Sequence, residues 1–398
     1  MRPALLSVAE AHERLGRLFA TVGVEEVALA EAAGRVLRRD VAAERAQPPF
    51  DASAMDGYAV RAADVETGAR LRVTGMSSAG GRFEGAVGPG EAVRIFTGAP
   101  VPPGSDRILI QEDADRDGDT IVVRAERDEQ VYVRPAGGDF VKGARVQAPR
   151  RLNPSDLALL AAMNAGSVAV TRRPVVALIA TGDELVMPGE TPGPDQIIAS
   201  NAFGLKAMLE AVGAEARILP IARDTRETLS AVLDLAQGAD LIVTLGGASV
   251  GDFDIVRDTA VARGMEIDFY RVAMRPGKPL MAGRLDGTPL VGLPGNPVSA
   301  MVCGRIFLVP AVERMLGLEA ALPRRRGAVL GHDIGANGPR EHYMRARIDE
   351  SGADPVATAF ERQDSSLLSV LAQANALVVR PPGDPAKRKG ESVEFIWL

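Results

Sequence analysis

Three apolar runs, VVALIA at 175–180, ARILPIA at 216–222 and ADLIVTL at 239–245, constrain the fold of this chain more than any other feature. The stretch between the first two reads as a helix over 201–212, with Leu205, Met208, Leu209 and Val212 on one face and Gly213 as its stop. A second helix follows the ARILPIA run. Asp224 is placed to cap it, Glu227 to close a capping box, and Leu229, Val232, Leu233 and Ala236 to face inward. Strands that are apolar throughout, alternating with amphipathic helices, predict a mostly parallel sheet buried between helical layers.

The rhythm then changes. Residues 265–293 read as three strands, the last two joined by an Asp286–Gly287 turn of hairpin type, and a long helix over 298–316 closes the domain. Around this centre the chain divides into further parts, as its 398 residues require. Residues 1–46 with 144–173 form a discontinuous helical linking region. Helices are expected there over 5–20, 25–43 and 153–166, the last with Asn153 as cap, Pro154 in the first turn and Gly166 at its end. Residues 47–143, rich in Gly, Pro and short β-type runs, form a β-rich domain. Residues 174–319 are the three-layer α/β domain, and 320–398 a small C-terminal β domain after an LPRRR linker.

Composition excludes several function classes. A net charge of −6 argues against a general nucleic-acid binder and makes any anion site a local basic pocket. The single cysteine, Cys303, sits in the apolar run VSAMVCGRIFLV and reads as a buried small side chain, so neither disulfides nor a thiolate zinc cage is expected. Three scattered histidines, His12, His332 and His342, do not suggest a His-rich metal site or a Ser-His-Asp triad. Glu10, His12, Glu13 and Arg14 interrupt the N-terminus, so neither a signal peptide nor a membrane span is expected, and the expected compartment is the cytoplasm.

In an open parallel sheet, ligands bind beyond the carboxyl ends of the strands. Three loops leave the expected strands there: TGDEL (Thr181, Gly182, Asp183, Glu184), LGGASVGDFD (Gly246, Gly247, Ser249, Asp252, Asp254) and GLPGNPVSA (Pro294, Gly295, Asn296, Ser299). Each combines glycines, which let backbone amides approach an anion, with a hydroxyl, amide or carboxylate. Pro297 near a helix start offers further amides to a phosphate. Singly, each loop reads more readily as an ordinary turn than as a site. Together they suggest a site, with Glu184 and Asp254 the strongest carboxylate candidates. RPGKP adds Arg275 and Lys278, with Arg271 upstream; Pro279 after Lys278 and the missing upstream glycine exclude a Walker A loop. The residues alone leave open whether Lys278 is an anion ligand or a solvated turn lysine. No GxGxxG occurs, so a dinucleotide cofactor is unsupported.

One further stretch, FDASAMDGYAV at 50–60, presents Asp56 on a loop of small residues leading into an apolar strand. Taken in order with FTGAPVP, ATGDEL, LGGASVGD, RPGKP and GLPGNPVSA, it resembles the molybdopterin molybdenumtransferases, the family that includes the E domain of gephyrin. The resemblance spans the whole chain. It implies a molybdopterin-binding α/β domain, insertion of molybdate into adenylylated molybdopterin with release of AMP, and a role for Mg²⁺. It implies a homodimer in which the β-rich domain of one subunit completes the cleft of the other. By motif matching, Asp56, Thr97 and Asp139 come from that domain, and Glu184, Asp224, Asp254, Arg271, Arg275 and Lys278 from the α/β domain. Catalysis is expected of Asp56, Glu184, Asp254 and Lys278, and metal binding of Glu184, Asp252 and Asp254; RQDSSLLS places Ser365 near a phosphate. The adenylyltransferase that supplies the substrate is an implied partner. Two alternatives are an adenylyltransferase-like enzyme built on the same α/β domain and a non-catalytic molybdopterin-binding scaffold.

Overall fold

A computed structural model of the chain describes residues 5–247 and 255–398. Two compact units result: residues 26–33 with 39–169, and the remainder up to 25, 34–38 and 170–398.

The larger unit begins with α1 (Val8–Arg17). Ser7 and Glu10 close a capping box, and Val8, Ala11 and Leu15 are buried. The helix expected over 25–43 does not form. Val24–Ala28, Val36–Leu37 and Val41–Ala42 are extended, with a single 3₁₀ turn at Leu29–Glu31. Two forces oppose a helix there: β-branched valines prefer extended backbone, and Gly34 takes a positive φ of 70° that breaks helical continuity.

The smaller unit is built on a sheet of β1 (Gly57–Val60), β2 (Arg70–Ser77), β3 (Glu91–Ile95), β4 (Arg107–Ile110), β5 (Ala114–Asp117) and β6 (Thr120–Val123), in the order β4-β1-β3-β2-β6-β5. Strand β1 is buried along its length because both edges are paired and both faces covered. Tyr58 and Val60 pack with Leu71, Leu109 and Ile121, whereas Ala59 packs with Val93, Ile95 and Ile108. Gly57 must lack a side chain, because a Cβ there would lie 2.1 Å from the carbonyl oxygen of Leu109. Helix α2 (Pro154–Ala162) has the expected Asn153 cap, closed into a box by Asp156. The left-handed residue at its end is Asn164, at φ 70°, rather than Gly166.

In the larger unit, β7 (Val175–Ala180), α3 (Asn201–Ala211), β8 (Glu215–Ile218), α4 (Arg226–Leu235), β9 (Leu241–Leu245), α5 (Ile255–Ala262), β10 (Glu266–Arg271), β11 (Pro279–Leu285) and β12 (Thr288–Leu293) form the expected α/β domain. The strand order is β8-β7-β9-β12-β11-β10. The first four strands are parallel; β11 is antiparallel to both β12 and β10, so β10 runs with the first four. Alternate residues of β7 feed two cores, which makes three layers. Val176 and Leu178 meet Leu205 and Leu209 of α3, while Ala177 and Ile179 meet Leu229 of α4 and Ala260 of α5. The hairpin turn is as expected, with Asp286 at φ 49° and Gly287 at 79°. Helix α4 is capped by Thr225, which accepts from the Thr228 amide, and not by Asp224.

The long helix expected over 298–316 is α6 (Pro297–Cys303) and α7 (Val309–Met315), joined by a π turn over Gly304–Leu308. Pro310 has no amide to bond residue 306, and the backbone widens just before it. The C-terminal strands β13 (Arg326–Leu330), β14 (Glu341–Asp349), β15 (Val356–Ala359), β16 (Ala376–Arg380) and β17 (Ser392–Trp397), with α8 (Leu368–Gln373) before β16, close into a small barrel, because β14 pairs with both β15 and β16. No described helix is long and apolar enough to cross a membrane.

Candidate functional site

At the carboxyl ends of β7, β9 and β12 the α/β domain opens into a cavity of about 1120 Å³. Its floor is made of loops that only glycine allows to meet. Gly246, at φ 102°, gives its amide to Leu293 O at 3.1 Å, and a Cβ there would lie 2.6 Å from Thr181 O. A Cβ on Gly295 would in turn come within 3.3 Å of the Gly246 Cα. Gly182 gives its amide to Ala222 O at 3.1 Å, and its missing Cβ leaves room for the Glu184 carboxylate. Gly247 is equally confined, by Val256.

Ten of the expected residues line this cavity: Thr181, Gly182, Glu184, Asp224, Gly246, Gly247, Lys278, Pro294, Gly295 and Asn296. Lys278 reaches it because Gly277, at φ 107°, lies flat on Cys303, whose sulfur is 2.5 Å from where a Cβ would be. Cys303 is therefore a buried spacer, as expected, and burial pushes its thiol far above the ordinary range.

Other expected residues fall outside the lining. Asp183 stands behind it, accepting the Asp224 amide at 3.1 Å. Arg271 lays its guanidinium over the Tyr270 ring, 5.4 Å from the centroid. Arg275 lies in a two-residue strand paired to β14 opposite His342. Ser299 is buried within α6. Ser365 contributes a backbone carbonyl, which accepts the Val298 amide at 3.0 Å, so one of the helix-start amides expected to meet a phosphate is already satisfied. Its neighbour Ser366 lines the cavity instead. Ser249, Asp252 and Asp254 lie outside the described residues.

Sequence reasoning missed Asn201, Arg226, Asp258 and the exposed pair Ile197 and Ile198, all of which line the cavity. Asn201 and Arg226 begin helices that follow rim strands, a placement that could have identified them. Asn201 Nδ2 donates to Gly295 O at 2.7 Å and so joins two rim loops.

The acidic wall is electrostatically loaded. Burial, then the neighbouring charges of Asp183 and Glu184, raise the Asp224 carboxyl above its usual range. Among the described residues no three His, Cys, Asp or Glu side chains cluster closely enough to hold a metal ion.

In the smaller unit, Asp56 immediately precedes β1. One of its oxygens accepts both the Thr97 amide at 2.7 Å and the Thr97 hydroxyl at 2.8 Å. These two bonds, with a lesser contribution from Arg94, hold its carboxyl below the usual range. Asp139 gives its amide to Gln47 O at 2.9 Å, so its loop runs along the segment that leads to Asp56.

Fold and cavity together define an α/β protein with an open cavity at the carboxyl rim of a parallel sheet, the place where such sheets bind ligands. Three family models match successive stretches: the MoeA N-terminal region (domain I and II) over 6–164, a probable molybdopterin binding domain over 177–314, and the MoeA C-terminal region (domain IV) over 327–398. A molybdopterin molybdenumtransferase from Nostoc is 34% identical, over 94% of this chain and 88% of its own. Molybdopterin molybdenumtransferase 2 of Mycobacterium tuberculosis is 36% identical, over 89% and 90%. Among solved structures, a molybdopterin biosynthesis MoeA protein from Pyrococcus horikoshii is 30% identical and superposes with a TM-score of 0.85, over 99% of both chains. The chain belongs to the molybdopterin molybdenumtransferase (MoeA) family.

Proposed function

We propose that this protein is an enzyme of molybdenum cofactor biosynthesis, inserting molybdenum from molybdate into adenylylated molybdopterin with release of AMP. One observation carries the reading: Lys278 and Glu184, far apart in the chain, line a single cavity floored by three glycine loops. Its volume of about 1120 Å³ suits a nucleotide-sized ligand.

The chemistry follows from charge. A nucleotide phosphate and molybdate are both anions, and bringing them together costs Coulomb repulsion that Lys278 offsets. Glycine-lined backbone lets phosphate oxygens approach closely, and Asn201, Asn296 and Ser366 supply neutral polar groups along the same wall. Arg226 adds a second cation. Glu184 and Asp224 both line the cavity, and the Asp224 carboxyl is raised first by burial and then by the charges of Asp183 and Glu184; these two carboxylates would hold Mg²⁺, together with the substrate's phosphates. When bound it would supply charge neutralisation at the phosphates. Asp252 and Asp254 remain proposed ligands, and Asp254 a proposed catalytic group.

The remaining assignments belong to the same reading. Asp56, Thr97 and Asp139 act from the β-rich domain of a second copy in a homodimer. Arg271, Arg275 and Ser365 serve the substrate from outside the cavity lining. The chain divides into four parts, with boundaries at 46/47, 143/144, 173/174 and 319/320, the first part resuming over 144–173. The compartment is the cytoplasm, where the lone buried thiol of Cys303 suits a reducing environment, and the partner that hands over substrate is an adenylyltransferase.

Incubation with adenylylated molybdopterin and molybdate tests the reading. Molybdate-dependent AMP release supports it. Adenylyl transfer from ATP would replace it with the adenylyltransferase alternative, and binding without turnover with a scaffold.

A further inference from the structure

Arg94, on β3, makes contacts that its place in a β-strand does not require. Its Nη1 donates to Gly57 O at 3.0 Å and its Nη2 to Gln111 Oε1 at 2.8 Å. The guanidinium carbon lies 5.1 Å from the Tyr58 ring centroid and 4.8 Å from that of Phe96, within the range of cation–π attraction.

Each of these partners adjoins Asp56 in a different way. Gly57 is the next residue, so the bond to its carbonyl fixes the Gly57–Tyr58 peptide, one step beyond Asp56. Gln111 gives its own amide to Asp56 O at 3.1 Å, which fixes the main chain of Asp56 itself. Phe96 precedes Thr97, whose amide and hydroxyl hold the Asp56 carboxylate. One planar cation therefore ties together three segments, at 56–58, 94–97 and 111, that meet at a single side chain. The fork of donors on arginine suits this, since two are directed to different acceptors while the plane rests on two rings.

We propose that Arg94 is a positioning residue for Asp56: it fixes the two peptides that follow the Asp56 Cα and the turn carrying Thr97, and so sets the direction in which Asp56 meets substrate. The inference rests on the proposed function, in which Asp56 acts on a ligand. Asp56 is half-buried, on a segment of mostly small residues, Ala52 to Gly57, in which the Ser53 hydroxyl holds the Met55 backbone and leaves Asp56 to partners outside the segment.

The test uses Arg94→Met, which keeps bulk and loses both donors, and Arg94→Lys, which keeps charge and can satisfy one acceptor. Each is made in the wild-type chain and in Asp56→Asn. Two readouts are taken: kcat and KM for molybdate-dependent AMP release, and hydrogen exchange of the full-length protein. The expected result is a kcat about tenfold lower for Arg94→Met with KM little changed, partial rescue by Arg94→Lys, and no further loss when Arg94→Met is added to Asp56→Asn. The Thr97 amide should exchange about tenfold faster in Arg94→Met, while Val93 and Ala59 in the same sheet keep wild-type protection.

Additive losses in the double variant, or faster exchange spread evenly through the sheet, would show that Arg94 only stabilises the unit. Full activity in Arg94→Met or in Asp56→Asn would overturn the inference as well. If the wild type itself releases no AMP, the proposed function fails, and localised or general exchange at Thr97 still decides whether Arg94 holds that turn.

Discussion

Asn201, at the start of α3, donates from Nδ2 to the carbonyl of Gly295, 2.7 Å away in the loop that opens α6. Two rim loops that leave different strands are thereby fixed to one another at the edge of the cavity. Asn201→Ala leaves that carbonyl without its side-chain donor. The expected cost is about 1 kcal/mol of stability, with KM for the nucleotide substrate rising about fivefold and kcat nearly unchanged. Urea unfolding and steady-state kinetics check both parts; a fall in kcat alone would contradict this role.

Gly57 shows how tightly the segment carrying Asp56 is built. A Cβ would meet Leu109 O at 2.1 Å, inside a strand paired on both sides, so neither strand can yield without losing its ladder. Gly57→Ala is expected to cost about 2–4 kcal/mol, read as a lower urea midpoint. Gly80 lies in a turn at φ 79° with nothing within 4 Å of its Cβ position, so Gly80→Ala meets only the backbone preference and should cost about 1 kcal/mol.

The raised carboxyl of Asp224 gives a pH dependence of defined sign. The unfolded chain releases this proton at a lower pH than the folded one, so between those two values the unfolded state binds fewer protons. The Asp224 contribution to stability is therefore full below the ordinary carboxylate range and is lost as pH rises through the higher folded value. Asp224→Asn should raise Tm at pH 7, and the gap should close as pH falls through the carboxylate range. Mg²⁺ should raise the Tm of the wild type more than that of Asp224→Asn. A lower Tm for the variant at pH 7 would contradict this account.

Asp56 has the opposite sign. Its bonds from Thr97 favour the charged form, so it stays ionised at and below the usual carboxylate range. Activity that needs this carboxylate should persist until pH drops beneath that range. Thr97→Ala removes one of the two bonds and should move the acid limb of kcat/KM upward, while Asp56→Asn should lower kcat about 100-fold or more.

The parallel sheet was legible because its central strands β7 and β9 are almost wholly apolar, a pattern that burial on both faces imposes and little else produces. The rim loops were legible because tight floors require glycine, and glycine is visible in a sequence. What misled was Ala-rich sequence over 25–43, where helix propensity is outweighed by valines, Gly34 and tertiary context. The cap of α4 was displaced by one residue because Asp224 and Thr225 are both good cap types, and only the backbone decides between them. Asp258 and Ser366 could not be read as neighbours of Lys278, since their proximity is set by how α5 and the segment between β15 and α8 fold over the rim. Ser365 illustrates the same limit: its carbonyl, not its side chain, does the work at α6.

The central claim is that a cavity on one sheet rim, carrying Lys278 and Glu184, is completed by Asp56 from a second copy of the chain. Mixing two separately inactive variants, Asp56→Asn and Lys278→Met, measures this directly after their subunits are exchanged. In a random mixture of dimers, half are hybrids with one intact site, so AMP release should recover to about a quarter of the wild-type rate. Recovery near that level is the predicted result. Hybrids that form yet remain as inactive as either parent would contradict it.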